Sequence, residues 1–263
     1  MKIRCNSNYG FNLAQYDVSK SVELWIDTFD RIDVSRAQKK IFIALEPEEI
    51  INLNEHIEYF SKAFNFILTY DEDLLNKLDN AVLFEFGTKW VELDDYKKLK
   101  KEFSVSNVCG GKSITKFHKF RHKLWLSQEK INIPKKFFLS KHGGPRLFDG
   151  NEILKDSKLP MFESMFHICI ENVPKRYFFT EKLIDTLLCK TIPIYWGCTN
   201  IDEYFNSKGM ILVNSVEDII KVCNNLTEKD YYDRIEYVEE NYKKALNWVN
   251  HSERIYNKIK ELI

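Results

Sequence analysis

Residues 166–206, FHICIENVPKRYFFTEKLIDTLLCKTIPIYWGCTNIDEYFN, concentrate the residue types best suited to chemistry. Their hydropathy reads as strand, loop, helix, strand, turn and helix. Ligands of open α/β sheets collect at the carboxyl ends of strands. Two polar groups stand at such ends: Glu171–Asn172 after the first strand and Gly197 after the second. Thr180 is placed to cap the helix, which leaves Glu181 and Lys182 in its first turn. Free N–H groups at that end, with the helix dipole, favour an anion. Lys182 adds a mobile cation suited to a phosphate. The same residues also suit plain structural work, Glu171–Asn172 as a loop cap and Glu181–Lys182 as the surface of a first turn. Tyr195 and Trp196 read as core aromatics, with Trp196 and Gly197 shaping the floor of a pocket.

Other spacings imitate motifs without completing them. His118 and His122 stand four apart, as helical metal ligands do, but no third ligand lies near them in sequence, so they read as surface histidines. Gly110–Gly111 precede Lys112–Ser113 as in a phosphate-binding loop, yet Ser106 stands where the first glycine is required. Asp71-Glu72-Asp73 imitates a D-x-D metal motif, and acids at the start of a short helix explain it. No metal site and no cofactor are expected. The six cysteines form no C-x-x-C pair, and Cys169, Cys189 and Cys198 sit in apolar stretches as small hydrophobes. Such usage fits a reducing compartment.

The elements that position these residues follow from periodicity. KIFIAL (40–45), NFILTY (65–70) and AVLFEF (81–86) read as strands, with helices predicted over 47–63 and 71–78 between them. Residues 88–101 are polar and suit a hinge. A second series follows: a strand at 103–108, a helix over 113–130, loops with a short strand across 131–160, strands at 165–170 and 191–196, a short helix at 200–206, a strand at 209–213 and a helix over 215–226. A helical tail begins at 228, and no element is assigned within the first 38 residues. Alternating β and α segments predict parallel sheets, here two doubly wound domains in series.

The 166–206 stretch resembles the donor-binding motif of the α1,3/4-fucosyltransferase family, glycosyltransferase family 10. Phe166, Glu171, Asn172, Thr180, Glu181, Lys182, Pro193, Tyr195, Trp196 and Gly197 match its F-x-x-x-x-E-N, T-E-K and x-I-P-I-Y-W-G parts. A weaker resemblance extends over 40–215. The resemblance implies a GT-B fold, two Rossmann-type domains with a cleft between them. It implies residues 1–100 as an acceptor-side domain, 101–235 as the donor domain and 236–263 as a helical tail. It implies GDP-fucose as the donor, a saccharide hydroxyl as the acceptor, inversion at the anomeric carbon and no metal. Around the donor it places Arg121, Glu171, Asn172, Tyr177, Phe178, Thr180, Glu181 and Lys182. Arg121 enters because SVSN (104–107) is followed by FHKFRHKLWL, matching a family arginine on the helix after such a strand end. Glu46, in IFIALEP, matches the family's general base, although an acid before Pro47 also suits a helix start. One departure stands at Phe178, where the family usually has a tyrosine, with Tyr177 beside it. Another GDP-deoxyhexose donor therefore stays open, as does a non-catalytic nucleotide-sugar or glycan-binding module.

Charge and composition narrow the partners. Lys plus Arg and Asp plus Glu both number 39 in 263 residues, which argues against a nucleic-acid coat or a polybasic membrane binder. The balance is uneven locally: residues 41–100 carry 13 acids against 6 lysines, and 101–150 carry 11 bases against 3 acids. That division suits a basic donor side facing an acidic acceptor side, or simply two solvated faces. The opening MKIRCNSNYG lacks an apolar signal core, and no run reaches the roughly 18 apolar residues of a membrane span. The expectation is a cytoplasmic protein.

Overall fold

The computed structural model describes residues 3–7, 11–92 and 99–263. The expected hinge at 88–101 falls partly outside them, at 93–98. In chain order the strands are β1 (Ile3–Ser7), β2 (Val22–Ile26), β3 (Lys39–Ile43), β4 (Phe66–Thr69), β5 (Ala81–Leu83), β6 (Glu102–Cys109), β7 (Lys135–Leu139), β8 (Glu152–Ile153), β9 (Ser164–Ile170), β10 (Ile192–Trp196) and β11 (Ile211–Leu212). The helices are α1 (Glu48–Ile51), α2 (Asn54–Phe60), α3 (Glu72–Lys77), α4 (Lys116–Leu126), α5 (Glu181–Leu188), α6 (Val216–Asn225), α7 (Glu228–Tyr232), α8 (Ile235–Ala245) and α9 (His251–Leu262). Two compact units result. One holds the chain up to Gly87 with Lys175–Phe178 and Asn250–Ile263; the other holds Thr88–Pro174 and Phe179–Val249.

The first unit is a five-stranded parallel sheet whose strands pair in sequence order, β1 to β5. Its two faces follow from the period-2 alternation of a strand. Leu24, Ile26, Ile41, Ile43 and Leu68 share one apolar cluster with Ile255 and Ile259 of α9. Trp25, Phe42 and Ile67 point the other way and pack with Ile57 of α2 and Leu74 of α3. The N-terminal 38 residues are thus far from featureless, since β1 and β2 lie within them and Leu24, Trp25 and Ile26 are fully buried. Their runs were too short for a clear pattern. The single helix expected over 47–63 is broken, because Asn52 closes α1 in the left-handed region at φ 51°. Asparagine tolerates that conformation better than most residues.

The second unit is a six-stranded parallel sheet in the order β11-β10-β9-β6-β7-β8. Val105, Phe137, Ile168 and Ile194 pack under α4 and α6 through Phe117, Leu124, Val216 and Ile219. Phe138, Cys169 and Tyr195 face α5 through Leu183, Ile184 and Leu187. The short strand expected within 131–160 is β7, where Phe137, Phe138 and Leu139 are all buried. The helix expected at 200–206 is two 3-10 turns, Ile201–Glu203 and Ser207–Gly209. The boundaries also differ from the expected 1–100, 101–235 and 236–263. The chain passes between units after Gly87, and the tail is shared, with α8 in the second unit and α9 in the first. Ile255 and Ile259, fully buried on the first sheet, decide the position of α9.

Candidate functional site

In the second sheet the strand order reverses between β6 and β9, which lie side by side while the chain continues outward from each. The carboxyl ends at such a reversal open a crevice. Glu171, directly after β9, is fully buried. Its Oε1 accepts the Thr180 N–H at 2.9 Å and its Oε2 accepts the Thr180 hydroxyl at 2.8 Å. Its own N–H donates to the Trp196 carbonyl at 2.9 Å. One carboxylate thereby ties the end of β9 to the cap of α5, while its backbone ties it to β10. Gly197 is required in this packing, because a Cβ there would stand 2.5 Å from both Glu171 Cγ and Tyr195 Oη.

Thr180 caps α5 as expected, accepting the Lys182 N–H at 3.3 Å. The Lys182 Nζ lies 3.0 Å from Glu181 Oε1, 3.2 Å from Thr180 Oγ1 and 3.9 Å from Glu171 Oε2. Burial works against the charge on Lys182, but Glu181 and Glu171 outweigh it and hold the ammonium above its ordinary range. Burial likewise opposes the charge on Glu181, and Lys182 and Lys158 still pull its carboxyl down to about 2. Glu171 is raised by burial despite Lys182.

Arg121, on α4, joins this group from the β6 side. Its Nη2 donates to Asn172 Oδ1 at 2.6 Å. Its Nε is buried and has no protein partner among the described residues. Arg121 is among the charges acting on Lys182, so the two cations lie within electrostatic reach. The Asn172 carbonyl accepts the Thr115 hydroxyl at 2.9 Å, which docks the start of α4 on the same loop.

Of the two histidines of α4, His118 is buried rather than a surface group, and His122 is half-buried. His118 Nδ1 accepts the Thr115 N–H at 3.1 Å in a capping box, and burial followed by Arg121 and Lys182 lowers its pKa to about 4. His122 Nε2 stands 2.9 Å from the Gly110 carbonyl. Among the described residues no cluster of His, Cys, Asp or Glu is arranged to hold a metal ion. Asp71 of the D-x-D imitation caps α3, accepting the Asp73 N–H at 3.1 Å and the Leu74 N–H at 3.3 Å. All six cysteines are free thiols, and five are buried. Trp196 is half-buried and stacks on Phe120 at 4.9 Å. With Phe117, Lys116, Lys123 and Ser215 it lines a groove of about 430 Å³, a volume in the range of small-molecule sites.

The remaining predicted residues belong to the first unit. Glu46 follows the end of β3 and is half-buried. Tyr70, after β4, is buried, and burial followed by Asp71, Asp27, Glu46 and Glu49 raises its hydroxyl pKa well above the ordinary value. Four carboxylates therefore act electrostatically on one phenol. Lys175 enters this group, 3.1 Å from Asp71 Oδ2 and 3.2 Å from Glu49 Oε2. Phe178 is buried with its ring 4.7 Å from that of Tyr70. Tyr177 is left-handed at φ 63°, with the Arg176 guanidinium 4.8 Å from its ring. Arg121, Glu171, Asn172, Thr180, Glu181, Lys182, Trp196 and Gly197 are thus in the second unit, and Glu46, Tyr177 and Phe178 in the first. Sequence reasoning passed over Asp27, Tyr70, Thr115 and Lys175. Only Thr115, three residues before His118, carried a readable capping signal.

No protein-family model matches the chain. A 53-residue segment is 38% identical to an α-(1,3)-fucosyltransferase of Helicobacter pylori, spanning 20% of this chain and 11% of that enzyme. The resemblance to the fucosyltransferases therefore holds over a segment. The crystal structure of an α1,3-fucosyltransferase superposes with a TM-score of 0.54 at 17% identity, covering 86% of this chain and 76% of the other. The same coverages, with a TM-score of 0.52 and 16% identity, describe an α1,3-fucosyltransferase crystallised with GDP-fucose. A glycosyltransferase from Rickettsia africae ESF-5 gives a TM-score of 0.58 at 11% identity, over 92% of this chain and 75% of that one. The fold is of the GT-B type, as the sequence resemblance implied.

Proposed function

We propose that this chain is a glycosyltransferase that moves a fucosyl group from GDP-fucose to a hydroxyl of a saccharide acceptor, with inversion and without a metal ion. The observation that carries this reading is Arg121, gripped by Asn172 at the strand-order reversal, its buried Nε lacking a protein acceptor and Lys182 within electrostatic reach. A diphosphate supplies oxygens for that donor and charge for both cations. The 53-residue fucosyltransferase match and the GDP-fucose complex of a structural neighbour support the choice of donor.

The chemistry is a single displacement. An acceptor oxygen bonds to the anomeric carbon, the bond from that carbon to the β-phosphate oxygen breaks, and GDP leaves with the electron pair. Arg121 and Lys182 stabilise the charge that grows on the diphosphate. Glu46 takes the acceptor proton. Thr180, Glu171 and Asn172 hold the two cations in place, and Glu181 orients Lys182. Tyr177 and Phe178 flank the donor side in this reading. Attack opposite to the departing GDP inverts the anomeric centre.

Incubation with GDP-fucose and a glycan array tests the reading, with GDP release measured for each acceptor. Release with a defined acceptor is expected; none with any acceptor sinks it and leaves a binding module. Phe178, in place of the family tyrosine, favours a second donor, another GDP-deoxyhexose. Ranking GDP-sugars by thermal shift separates the two, the larger shift marking the donor.

A further inference from the structure

The chain passes from β2 into Asp27 with a left-handed backbone, φ 52°. Few side chains adopt that region, aspartate among them because it can hydrogen-bond locally, and its use beside a functional group calls for a reason. The hydrogen bonds of Asp27 supply one. Its N–H donates to the Ile43 carbonyl at 3.1 Å, at the last residue of β3. Its carboxylate spans the donors beyond the strand: Oδ1 accepts the Leu45 N–H at 2.9 Å and Oδ2 accepts the Glu46 N–H at 3.1 Å. The Ala44 N–H is already bonded to the Leu68 carbonyl at 2.9 Å, and Pro47 has no N–H to give. Every backbone donor from Ala44 to Glu46 is therefore fixed, the last two by a single side chain. Where the sheet ladder stops, Asp27 continues it to the residue that carries the carboxylate of interest.

We infer that Asp27 is a positioning residue for Glu46: it holds the arm on which the general base stands and sets the negative field in which that base takes its proton. This rests on the assignment of Glu46 under the proposed function. The Asp27 carboxylate lies on the Glu46 amide itself. Beyond burial, Asp71 after β4, Asp27 after β2, Glu46 and Glu49 of α1 all act on the Tyr70 hydroxyl, which puts these acids in one electrostatic neighbourhood. Lys175 bridges Glu49 and Asp71. A negative charge close to an acid favours its protonated form, so removing the Asp27 charge is expected to move the loss of the Glu46 proton to lower pH.

The test compares Asp27→Gly, Asp27→Asn and Glu46→Gln with the full wild-type chain. Glycine accepts φ 52° without strain and so separates the carboxylate from the backbone geometry. Asparagine keeps the shape and one acceptor but not the charge. Asp27→Gly is expected to lower kcat at least about tenfold, to leave KM for GDP-fucose and the affinity for GDP within about twofold, and to expose the Leu45 and Glu46 amides to hydrogen exchange. Asp27→Asn should fall between it and the wild type. In both, the acidic limb of the kcat profile should move to lower pH. Exposure of the two amides with kcat and the acidic limb unchanged makes Asp27 purely structural and overturns the proposal. A loss of GDP affinity parallel to that of kcat overturns it as well. If Glu46→Gln turns over like the wild type, the base assignment fails and takes this proposal with it. An inactive Glu46→Gln beside fully active Asp27 variants removes the positioning role alone.

Discussion

The two units both end their parallel strands in polar clusters, yet the clusters are built on different plans. In the second unit the strand order reverses between β6 and β9, and Arg121 and Lys182 alternate there with Glu171 and Glu181. In the first unit the strands follow one another from β1 to β5, and the carboxylates of Asp71, Asp27, Glu46 and Glu49 all act on the buried Tyr70. A reversal makes room for a bulky ligand without any special loop. Under the proposed function the reversal binds the donor and the acidic cluster holds the base. Mutations confined to one unit are then expected to separate affinity from turnover.

The largest expected effect lies in the first unit. Glu46→Gln should cut kcat by roughly 10²–10⁴-fold while GDP affinity, measured by calorimetry, stays as in the wild type. A parallel loss of affinity would break the division of labour. Next, Ile255→Ala removes a fully buried side chain of α9 from the first sheet and should cost about 2–5 kcal/mol of stability in urea unfolding. A cost typical of a surface residue would detach α9 from that unit. Arg121→Ala, in the second unit, removes charged hydrogen bonds of about 1.5–3 kcal/mol and should weaken GDP binding roughly 10- to 100-fold. Arg121→Lys should recover only part, since the planar fork is lost.

The smallest effect concerns pH. Burial, with Arg254 adding to it, lowers the His251 pKa to about 3, and neither ring nitrogen has a hydrogen-bond partner among the described residues. Its folded pKa is below the unfolded value of about 6.5, so the unfolded chain binds the proton first and stability falls as pH drops below that value. At pH 5 the loss from this group is about 2 kcal/mol. His251→Phe, among Phe11, Phe84 and Phe86, should therefore narrow the gap between urea midpoints at pH 7 and pH 5. The gap does not close, because His118 at about 4 and His167 at about 3 titrate in the second unit over the same window. An unchanged gap would assign the acid sensitivity to the second unit alone.

What could be read from sequence divides along the same line. In the second unit, strands 165–170 and 191–196 are continuous apolar runs, and Thr180 announces the helix that carries Lys182. Local signals there coincide with the site, so Glu171, Thr180 and Lys182 were legible before their contacts were known. The first unit gave less, because its site is assembled from distant pieces. Asp27 acts on Glu46 across neighbouring strands, and β2 itself is too short to stand out. Asn52 breaks a regular helical pattern by a backbone choice that hydropathy does not encode. His118 has the spacing of a metal ligand and does the work of a cap. Those outcomes depend on tertiary partners that no local window contains.

The path of the chain has a consequence for how the molecule comes to be made. Residues 175–178 belong to the first unit although both flanking stretches belong to the second, and Asn250–Ile263 return to the first. No single cut in the chain releases either unit whole. During synthesis β1 to β5 precede the strands of the second unit, while the helix that covers Leu24, Ile41 and Leu68 follows them. The apolar face of the first sheet must therefore wait, open to chaperones or to other chains, while the second unit is translated.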